Sequence, residues 1–156
     1  YGYSRSFMRI AIAGDHAGFS LKKNILPWIV SLGHEVNHLG AFSMDPDDDY
    51  PDFALLVAKE ISSGKADKGI IICGSGVGAC ITANKIQGVR AAISHDLYSS
   101  HQGVEHDDMN ILCLGSRVIN QDLAKKIIES FLDATFSGHD RHIRRLQKVL
   151  DIENQS

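Results

Sequence analysis

The sequence Gly69-Ile-Ile-Ile-Cys-Gly-Ser-Gly-Val-Gly78 organises the rest of this chain. Its first half is a run of β-branched residues, which is typical of a buried strand. Its second half has glycines at positions 74, 76 and 78 and leads into a helical segment of small residues at 79–85. A strand that enters a glycine-rich turn before a helix directs backbone N–H groups and the positive helix end into one small space. The stretch therefore predicts a cradle for a phosphate, a carboxylate or the oxyanion of an enediolate.

Cys73 is the last residue of the predicted strand, so its thiol is expected to point into this cradle. A buried cysteine with only a packing role is the common alternative. A thiol that faces a helix N-terminus can instead serve as a thiolate base or nucleophile near neutral pH. The position of Cys73 therefore favours a catalytic role.

Composition limits the class of protein. The chain has 156 residues, of which 44% are hydrophobic and 22% charged, as is ordinary for one globular domain. Its net charge of −3 leaves no basic footprint for nucleic acid. No apolar run approaches the roughly 20 residues needed to cross a membrane. We therefore expect one domain over residues 8–156 that binds neither nucleic acid nor a membrane.

The termini and the cysteines suggest a cytoplasmic location. Residues 1–7 lack the apolar segment of a signal peptide, and we expect them to be an N-terminal extension or a cloning remnant. The three cysteines are odd in number and show no CxxC spacing, so neither a disulfide framework nor a structural zinc site is indicated. A reducing compartment fits this usage.

Short apolar runs alternate with helical patterns along the chain. The predicted strands are 9–13, 35–39, 69–73, 89–94 and 111–114, and the predicted helices are 19–32, 50–63, 79–85, 96–104, 121–134 and 140–150. This alternation indicates an α/β fold, a Rossmann-like three-layer sandwich with a five-stranded parallel sheet.

Ligands of such sheets bind beyond the carboxyl ends of the strands, where the strand order switches. That rule brings together Asp15 and His16 after the first strand, the segment 73–78 after the third, and Arg117 after the fifth. The predicted site combines a carboxylate, imidazole, a thiol and an arginine.

The glycine loop also allows a rival interpretation. Gly74-x-Gly76-x-x-Ala79 matches the dinucleotide fingerprint, and Asp96 lies about 20 residues further on. The match falls in the third βα unit rather than the first, and a pyrophosphate site has no use for Cys73. A nucleotide-binding domain therefore remains the alternative from another class.

His34-Glu35-Val36-Asn37-His38 matches the HExxH zinc motif, which requires a helix. The segment follows Gly33, ends at Gly40 and has the length of a strand. Residues four apart in a strand are separated by about 13 Å, too far to share one zinc ion. We expect no metal site there.

Two further groups could act on a ligand or merely be solvated. His106 stands in Glu105-His106-Asp107-Asp108, between a predicted helix and the fifth strand. Arg141 and Arg145 are four residues apart on the last helix, so they share a face and could clamp a dianion.

Several motifs occur together and in order along the chain: Gly14-Asp15-His16-Ala17-Gly18, Asp49-Tyr50-Pro51, Cys73-Gly74-Ser75-Gly76-Val77-Gly78, Ala83-Asn84-Lys85, Asn110, Gly115-Ser116-Arg117 and Arg141-His142 to Arg145. In this set the chain resembles the ribose-5-phosphate isomerase B family from residue 8 to about residue 150. The wider family includes galactose-6-phosphate and allose-6-phosphate isomerases.

The resemblance implies a reversible conversion of ribose 5-phosphate to ribulose 5-phosphate in the non-oxidative pentose phosphate pathway, without a metal or organic cofactor. It implies Cys73 as the base, Ser75 and the loop N–H groups as enediolate stabilisers, and His106 and Asp15 as groups for ring opening and proton handling. The substrate-binding residues it implies are His16, Gly74, Gly76, Val77, Gly78, Asp107, Asn110, Arg117, Arg141 and Arg145.

The resemblance also implies a homodimer or homotetramer whose active sites are shared between subunits, with the basic last helix reaching the partner's site. The chain departs from the family at Asp107, where the best-known members have Asn, and at Ser75, where many have Thr. The loop 43–49 is unusually acidic, for which the sequence offers no reason. A six-carbon sugar phosphate remains the alternative substrate.

Overall fold

The computed structural model describes residues 7–155 and contains one parallel sheet of five strands. The strands are β1 (Arg9–Gly14), β2 (Glu35–His38), β3 (Lys68–Cys73), β4 (Ala91–Ile93) and β5 (Ile111–Gly115). They are arranged in the order β2-β1-β3-β5-β4, and each neighbouring pair is parallel. The predicted α/β fold with a five-stranded parallel sheet is therefore confirmed.

Six helices connect or follow these strands. They are α1 (Phe19–Ser31), α2 (Tyr50–Ser62), α3 (Val77–Ala83), α4 (Leu97–Asp107), α5 (Gln121–Asp133) and α6 (Asp140–Glu153). None of the helices in the described part of the chain combines the length and apolar character that a membrane span requires.

The alternation of side chains along β1 explains the three layers. Ile10 and Ile12 pack into the core that α1, α4 and α5 cover, whereas Ala11 and Ala13 face the core beneath α2 and α3. Because successive side chains of a strand point to opposite faces, one buried strand supplies both cores. The apolar runs of the sequence reflect this burial on two sides.

The ends of several elements differ from the prediction: α6 runs to Glu153 rather than to residue 150, and β4 spans only Ala91–Ile93 of the predicted 89–94. Helix α3 begins at Val77, two residues earlier than predicted, directly after Gly76, whose φ of 84° makes the turn. Helix α4 continues to Asp107 because Asp108 then adopts a left-handed conformation, with φ 51°, and its N–H bonds to the Val104 carbonyl oxygen at 3.1 Å. His106 therefore lies in the last turn of a helix, and the prediction that it follows the helix is wrong.

Two other local predictions can be compared with the structure. Residues 35–38 of the HExxH match form β2, so its two histidines cannot share a helical face, as predicted. The prediction for residues 1–7 falls, apart from Phe7, outside the described residues.

The strand order reverses between β1 and β3, because β2 lies on one side of β1 and β3 on the other. The loops after β1 and β3 therefore diverge at the carboxyl edge of the sheet and leave a crevice. Helix α4 runs back from this edge to the amino edge and is about 16 Å long at about 1.5 Å per residue. Residues at its two ends consequently belong to different edges of the sheet.

Candidate active site

A cavity of about 530 Å³ lies at the switch point between β1 and β3. The loops after β1, β3 and β5 line it, together with the first turn of α2. The predicted site residues that line it are Asp15, His16, Cys73, Gly74, Ser75, Val77, Gly78 and Arg117. The structure thus brings together the carboxylate, imidazole, thiol and arginine that were predicted to meet at the carboxyl ends of the strands.

Cys73 ends β3 with its side chain 5% exposed at the floor of this cavity. The backbone N–H of Gly76 donates to Cys73 Sγ at 3.1 Å. Gly76 holds a positive φ, which favours glycine, and the turn directs its N–H back toward the sulfur. A sulfur that accepts this bond is better suited to hold negative charge than a thiol in an apolar pocket.

Ser75 and the start of α3 complete the cradle. The N–H of Val77 donates to Ser75 Oγ at 3.2 Å, which fixes the hydroxyl at the helix entrance. Gly74, Ser75 and Val77 line the same cavity as the Cys73 sulfur. An oxyanion placed there could accept a hydrogen bond from the Ser75 hydroxyl, whose oxygen the Val77 N–H holds in position.

The loop after β5 is fastened to the cradle. The N–H of Ser116 donates to the Cys73 carbonyl oxygen at 2.8 Å, and the N–H of Arg117 donates to the Gly74 carbonyl oxygen at 3.1 Å. Ser116 Oγ donates to the carbonyl oxygen of Ala17 at 2.6 Å, which joins the loop after β1. With the loop held in this way, the Arg117 guanidinium lies beside Gly74, where it could bind a phosphate.

His95, which follows β4, supports the same loop. Its Nε2 accepts a hydrogen bond from the N–H of Gly115 at 2.9 Å. Burial lowers the pKa of His95, so the ring stays neutral and keeps Nε2 as an acceptor. Prediction from the sequence missed this residue, although its place just after a strand could have indicated it.

His16 is paired with a carboxylate of the acidic loop. Its Nδ1 lies 2.7 Å from Asp48 Oδ1, and the same oxygen accepts the backbone N–H of His16 at 2.9 Å. The hydrogen bond to Asp48 raises the pKa of His16, Asp15 adds to the effect, and burial and Arg117 oppose it. His16 is thus the cationic form of imidazole over a wider pH range than a free histidine.

Asp15, His16 and Asp48 are also the group best placed to hold a cation in the described part of the chain. One ligand atom from each lies within 4.8 Å of the others. In the structure, however, His16 Nδ1 and Asp48 Oδ1 are hydrogen-bonded to each other. The arrangement is therefore that of an imidazole–carboxylate pair.

Tyr50 covers the first turn of α3. A Cβ added to Gly78 would lie 2.3 Å from Tyr50 Cε1, so only glycine allows the ring this close. Tyr50 also lines the cavity. Tyr50 belongs to the Asp49-Tyr50-Pro51 motif of the sequence, for which no role was predicted.

A second cluster lies at the amino edge, where α4 ends and α6 begins. The His106 ring stacks on the His142 ring with centroids 4.0 Å apart, and His106 Nδ1 lies 3.0 Å from Gln102 Nε2. His142 is buried, and burial, followed by the charge of His106, lowers the pKa of its imidazole. Arg141 Nε donates to His142 Nε2 at 3.3 Å.

The remaining predicted ligands also belong to this edge. Arg141 and Arg145 are exposed on α6, and Asp107 is the last residue of α4. Asn110 precedes β5, and its side chain accepts from the Arg90 N–H at 2.7 Å and donates to the Gly88 carbonyl oxygen at 2.9 Å. Within one chain, the structure therefore does not bring His106, Asp107, Asn110, Arg141 or Arg145 to Cys73.

Comparison with known proteins identifies the family. The sequence matches the Ribose/Galactose Isomerase family over residues 10–149. It is 41% identical to ribose-5-phosphate isomerase B of Escherichia coli over 147 residues, which are 94% of this chain and 97% of the relative. It is also 41% identical to D-erythrulose-4-phosphate isomerase of Pectobacterium atrosepticum over 134 residues, 84% of this chain and 86% of the relative.

The fold agrees with this result. The crystal structure of ribose-5-phosphate isomerase B from Mycoplasma genitalium with bound ribulose-5-phosphate superposes with a TM-score of 0.89 at 42% identity, over 95% of this chain and 97% of that one. The chain belongs to the Ribose/Galactose Isomerase family and is a sugar-phosphate isomerase.

Proposed function

We propose that this isomerase interconverts ribose 5-phosphate and ribulose 5-phosphate through an enediolate, as a step of the non-oxidative pentose phosphate pathway. Relatives carry the names of both pentose and tetrose phosphate isomerases, so the choice of pentose belongs to the proposal. The observation that supports it best is the Cys73 sulfur, held by the Gly76 N–H inside an anion cradle.

The proposed reaction moves one carbon-bound proton. In the open-chain aldose, the Cys73 thiolate removes the proton from C2, and the electrons of that C–H bond form the enediolate. The proton then returns to C1, while the hydroxyl proton on O2 is lost and O1 gains one. The Ser75 hydroxyl and the N–H groups of the glycine loop stabilise the oxyanion, and Asp15 handles the hydroxyl protons.

The phosphate would be held by charges from two chains. His16 and Arg117 line the Cys73 cavity, whereas Arg141 and Arg145 project from the other edge of the sheet. The Cys73 cavity and these two arginines are separated by about one helix length, roughly 16 Å, which is too great for one substrate to span within a chain. A second copy that places its amino-edge cluster over this cavity would supply both arginines and His106 for ring opening.

The chain has a surface suited to such a copy. Strand β4 is an edge strand, and a groove of about 640 Å³ separates it from α6. On α6, Ile143, Val149 and Ile152 expose 48%, 53% and 69% of their surface. Exposed apolar side chains beside an open sheet edge favour association. We therefore propose a homodimer, or a homotetramer built from it, with shared sites.

Turnover on a panel of substrates tests the proposal. Purified protein is assayed with ribose 5-phosphate, D-erythrulose 4-phosphate, allose 6-phosphate and galactose 6-phosphate, with EDTA present throughout. We expect the highest kcat/KM on ribose 5-phosphate and no loss of activity in EDTA. Preference for a tetrose or hexose would replace the substrate and keep the mechanism. Inactivity on all four, with NAD or ATP binding, would favour the nucleotide-binding alternative.

The three cysteines, Cys73, Cys80 and Cys113, are all free thiols in the described chain. Free thiols are retained in reducing compartments. A cytoplasmic location is therefore part of the proposal, and expression of a tagged chain followed by cell fractionation tests it.

A further inference from the structure

The acidic loop 43–49 turns one carboxylate inward. Asp45, Asp47 and Asp49 are exposed, but the Asp48 side chain is only 9% exposed. Asp48 Oδ1 accepts from both the backbone N–H and the ring Nδ1 of His16, at 2.9 and 2.7 Å. One oxygen thus fixes the main chain and the ring of the same residue, which limits the orientations open to the imidazole.

A buried lysine also lies near this carboxylate, beneath the loop. Lys22 is 1% exposed, and its Nζ donates to the carbonyl oxygen of Ala41 at 2.6 Å, at the start of the acidic loop. Burial lowers the pKa of Lys22 to about 8, and the charge of Asp48 opposes this shift. Lys22 is therefore largely protonated at neutral pH, and its charge attracts Asp48 without a direct ion pair, since Asp48 Oδ2 makes no hydrogen bond to any described residue.

The pairing decides which nitrogen of His16 is available to a ligand. Since Nδ1–H donates to Asp48, only Nε2 remains to contact a molecule in the cavity. The charged groups that face the ring are Asp15 and Asp48, which favour imidazolium, and Arg117, which opposes it. An imidazolium presents an Nε2–H donor, whereas the neutral ring protonated on Nδ1 presents a lone pair that repels a phosphate oxygen.

We propose that Asp48 is a positioning residue that orients the His16 ring so that its Nε2–H donates to the phosphate of the substrate. Asp48 itself does not touch the substrate. The inference rests on the proposed function, because it takes the anion in this cavity to be the sugar phosphate. It also gives the acidic loop a purpose, since a carboxylate is needed on the side of His16 that faces away from the ligand.

The test compares Asp48→Asn with Asp47→Asn, which removes the same charge from the exposed neighbour in the same loop. The His16 ring is followed by NMR across pH 5.5–8.5, with and without inorganic phosphate. We expect Asp48→Asn to lower the His16 pKa toward that of a free histidine and to weaken phosphate binding at pH 7.5 by about 10-fold. KM for ribose 5-phosphate rises by a similar factor, whereas kcat changes by less than about 3-fold. Asp47→Asn behaves as wild type.

Equal His16 pKa values and phosphate affinities in the two variants would overturn the proposal. Should Asp48→Asn fail to fold, Asp48→Glu keeps the carboxylate and is expected to retain a raised His16 pKa; an ordinary value in that folded variant would also overturn it. Phosphate binding with the expected pH dependence, in a protein that isomerises none of the sugar phosphates, would refute the proposed function alone.

Discussion

The N–H of Gly76 donates to the sulfur of Cys73 at 3.1 Å, across a turn that lies at the floor of the anion cradle. Gly76, which shapes the turn, therefore also donates a hydrogen bond to Cys73, the candidate base. A catalytic thiol needs this kind of contact, because negative charge on sulfur is stabilised by nearby donors. The relationship leads directly to the first prediction.

Replacing Cys73 with serine should remove the base and leave the binding site. The hydroxyl of serine fits the space but is too weak an acid to form an oxyanion at neutral pH. We expect kcat on ribose 5-phosphate to fall between about 100- and 10,000-fold, while the affinity for inorganic phosphate changes little. Stopped assays give kcat, and calorimetric titration gives the phosphate affinity.

Cys80→Ser is the matched control, since Cys80 is the nearest cysteine in sequence and is not among the residues that line the cavity. It should retain wild-type turnover. Wild-type kcat in the Cys73→Ser protein would show that another group is the base.

Cys80 should be alkylated more rapidly than Cys113. Its hydrogen bond with Cys113 lowers the pKa of Cys80 to about 6, against the effect of burial. Cys80 is half-buried, whereas Cys113 is fully buried and its pKa is raised. Because the thiolate is the reactive form, the rate at Cys80 should rise as pH increases through about 6.

Peptide mapping after brief treatment with iodoacetamide at pH 7 tests this. We expect label at Cys80 and none at Cys113. Label at Cys113 and none at Cys80 would contradict the lowered pKa of Cys80. Inactivation by alkylating reagents therefore cannot by itself identify Cys73, and the variants above are needed.

Gly78→Ala should destabilise the protein through one contact. The new Cβ would fall 2.3 Å from Tyr50 Cε1, so the ring must move. We expect a loss of about 1–3 kcal/mol in the free energy of unfolding, as for other overpacked sites. In a Tyr50→Ala background the same change should cost much less, since alanine is otherwise preferred to glycine within a helix.

Urea unfolding of the four proteins of this double-mutant cycle gives the coupling energy. Additive effects of the two substitutions would mean that the contact does not limit residue 78.

Stability should fall in acid partly because of His95. Burial lowers the pKa of its ring in the folded protein, so unfolding allows it to take up a proton. The contribution of His95 to the free energy of unfolding is complete above the pKa of about 6.5 that its ring has in the unfolded chain. It is lost as the pH falls from that value through the lower pKa of the folded protein. The neutral ring that burial favours is also the form whose Nε2 can accept from the Gly115 N–H.

In His95→Gln, the side-chain oxygen of glutamine can accept the same bond without titrating. The slope of unfolding free energy against pH, measured by urea unfolding between pH 5 and 7, should decrease by up to about one proton. An unchanged slope would show that His95 titrates alike in the two states.

Half of the candidate site could be predicted because ligands of parallel sheets bind beyond the carboxyl ends of the strands. Asp15, Cys73 and Arg117 follow strands that are apolar on both faces, and parallel strands place such residues at one edge whatever the details of packing. The ends of α3 and α4 were harder to predict from the sequence, because they depend on the backbone conformations of Gly76 and Asp108.

Other features depend on contacts distant in sequence. Asp48 meets His16 across 32 positions, and nothing in the loop 43–49 distinguishes it from the neighbouring aspartates. The separation of His106 from Cys73 could have been deduced from the direction of α4, which must return to the amino edge before β5 begins.

We propose that Cys73 of one chain and His106 of another act on the same substrate. Cys73→Ala and His106→Ala chains with different tags are co-expressed, and the mixed dimers are isolated by both tags. Each variant alone should be nearly inactive, since its two sites carry the same defect.

A mixed dimer with shared sites contains one doubly altered site and one intact site, so it should recover about half of the wild-type turnover on ribose 5-phosphate. A mixed dimer as inactive as its parents would mean that each chain uses its own Cys73 and His106, and would refute active sites shared between two chains.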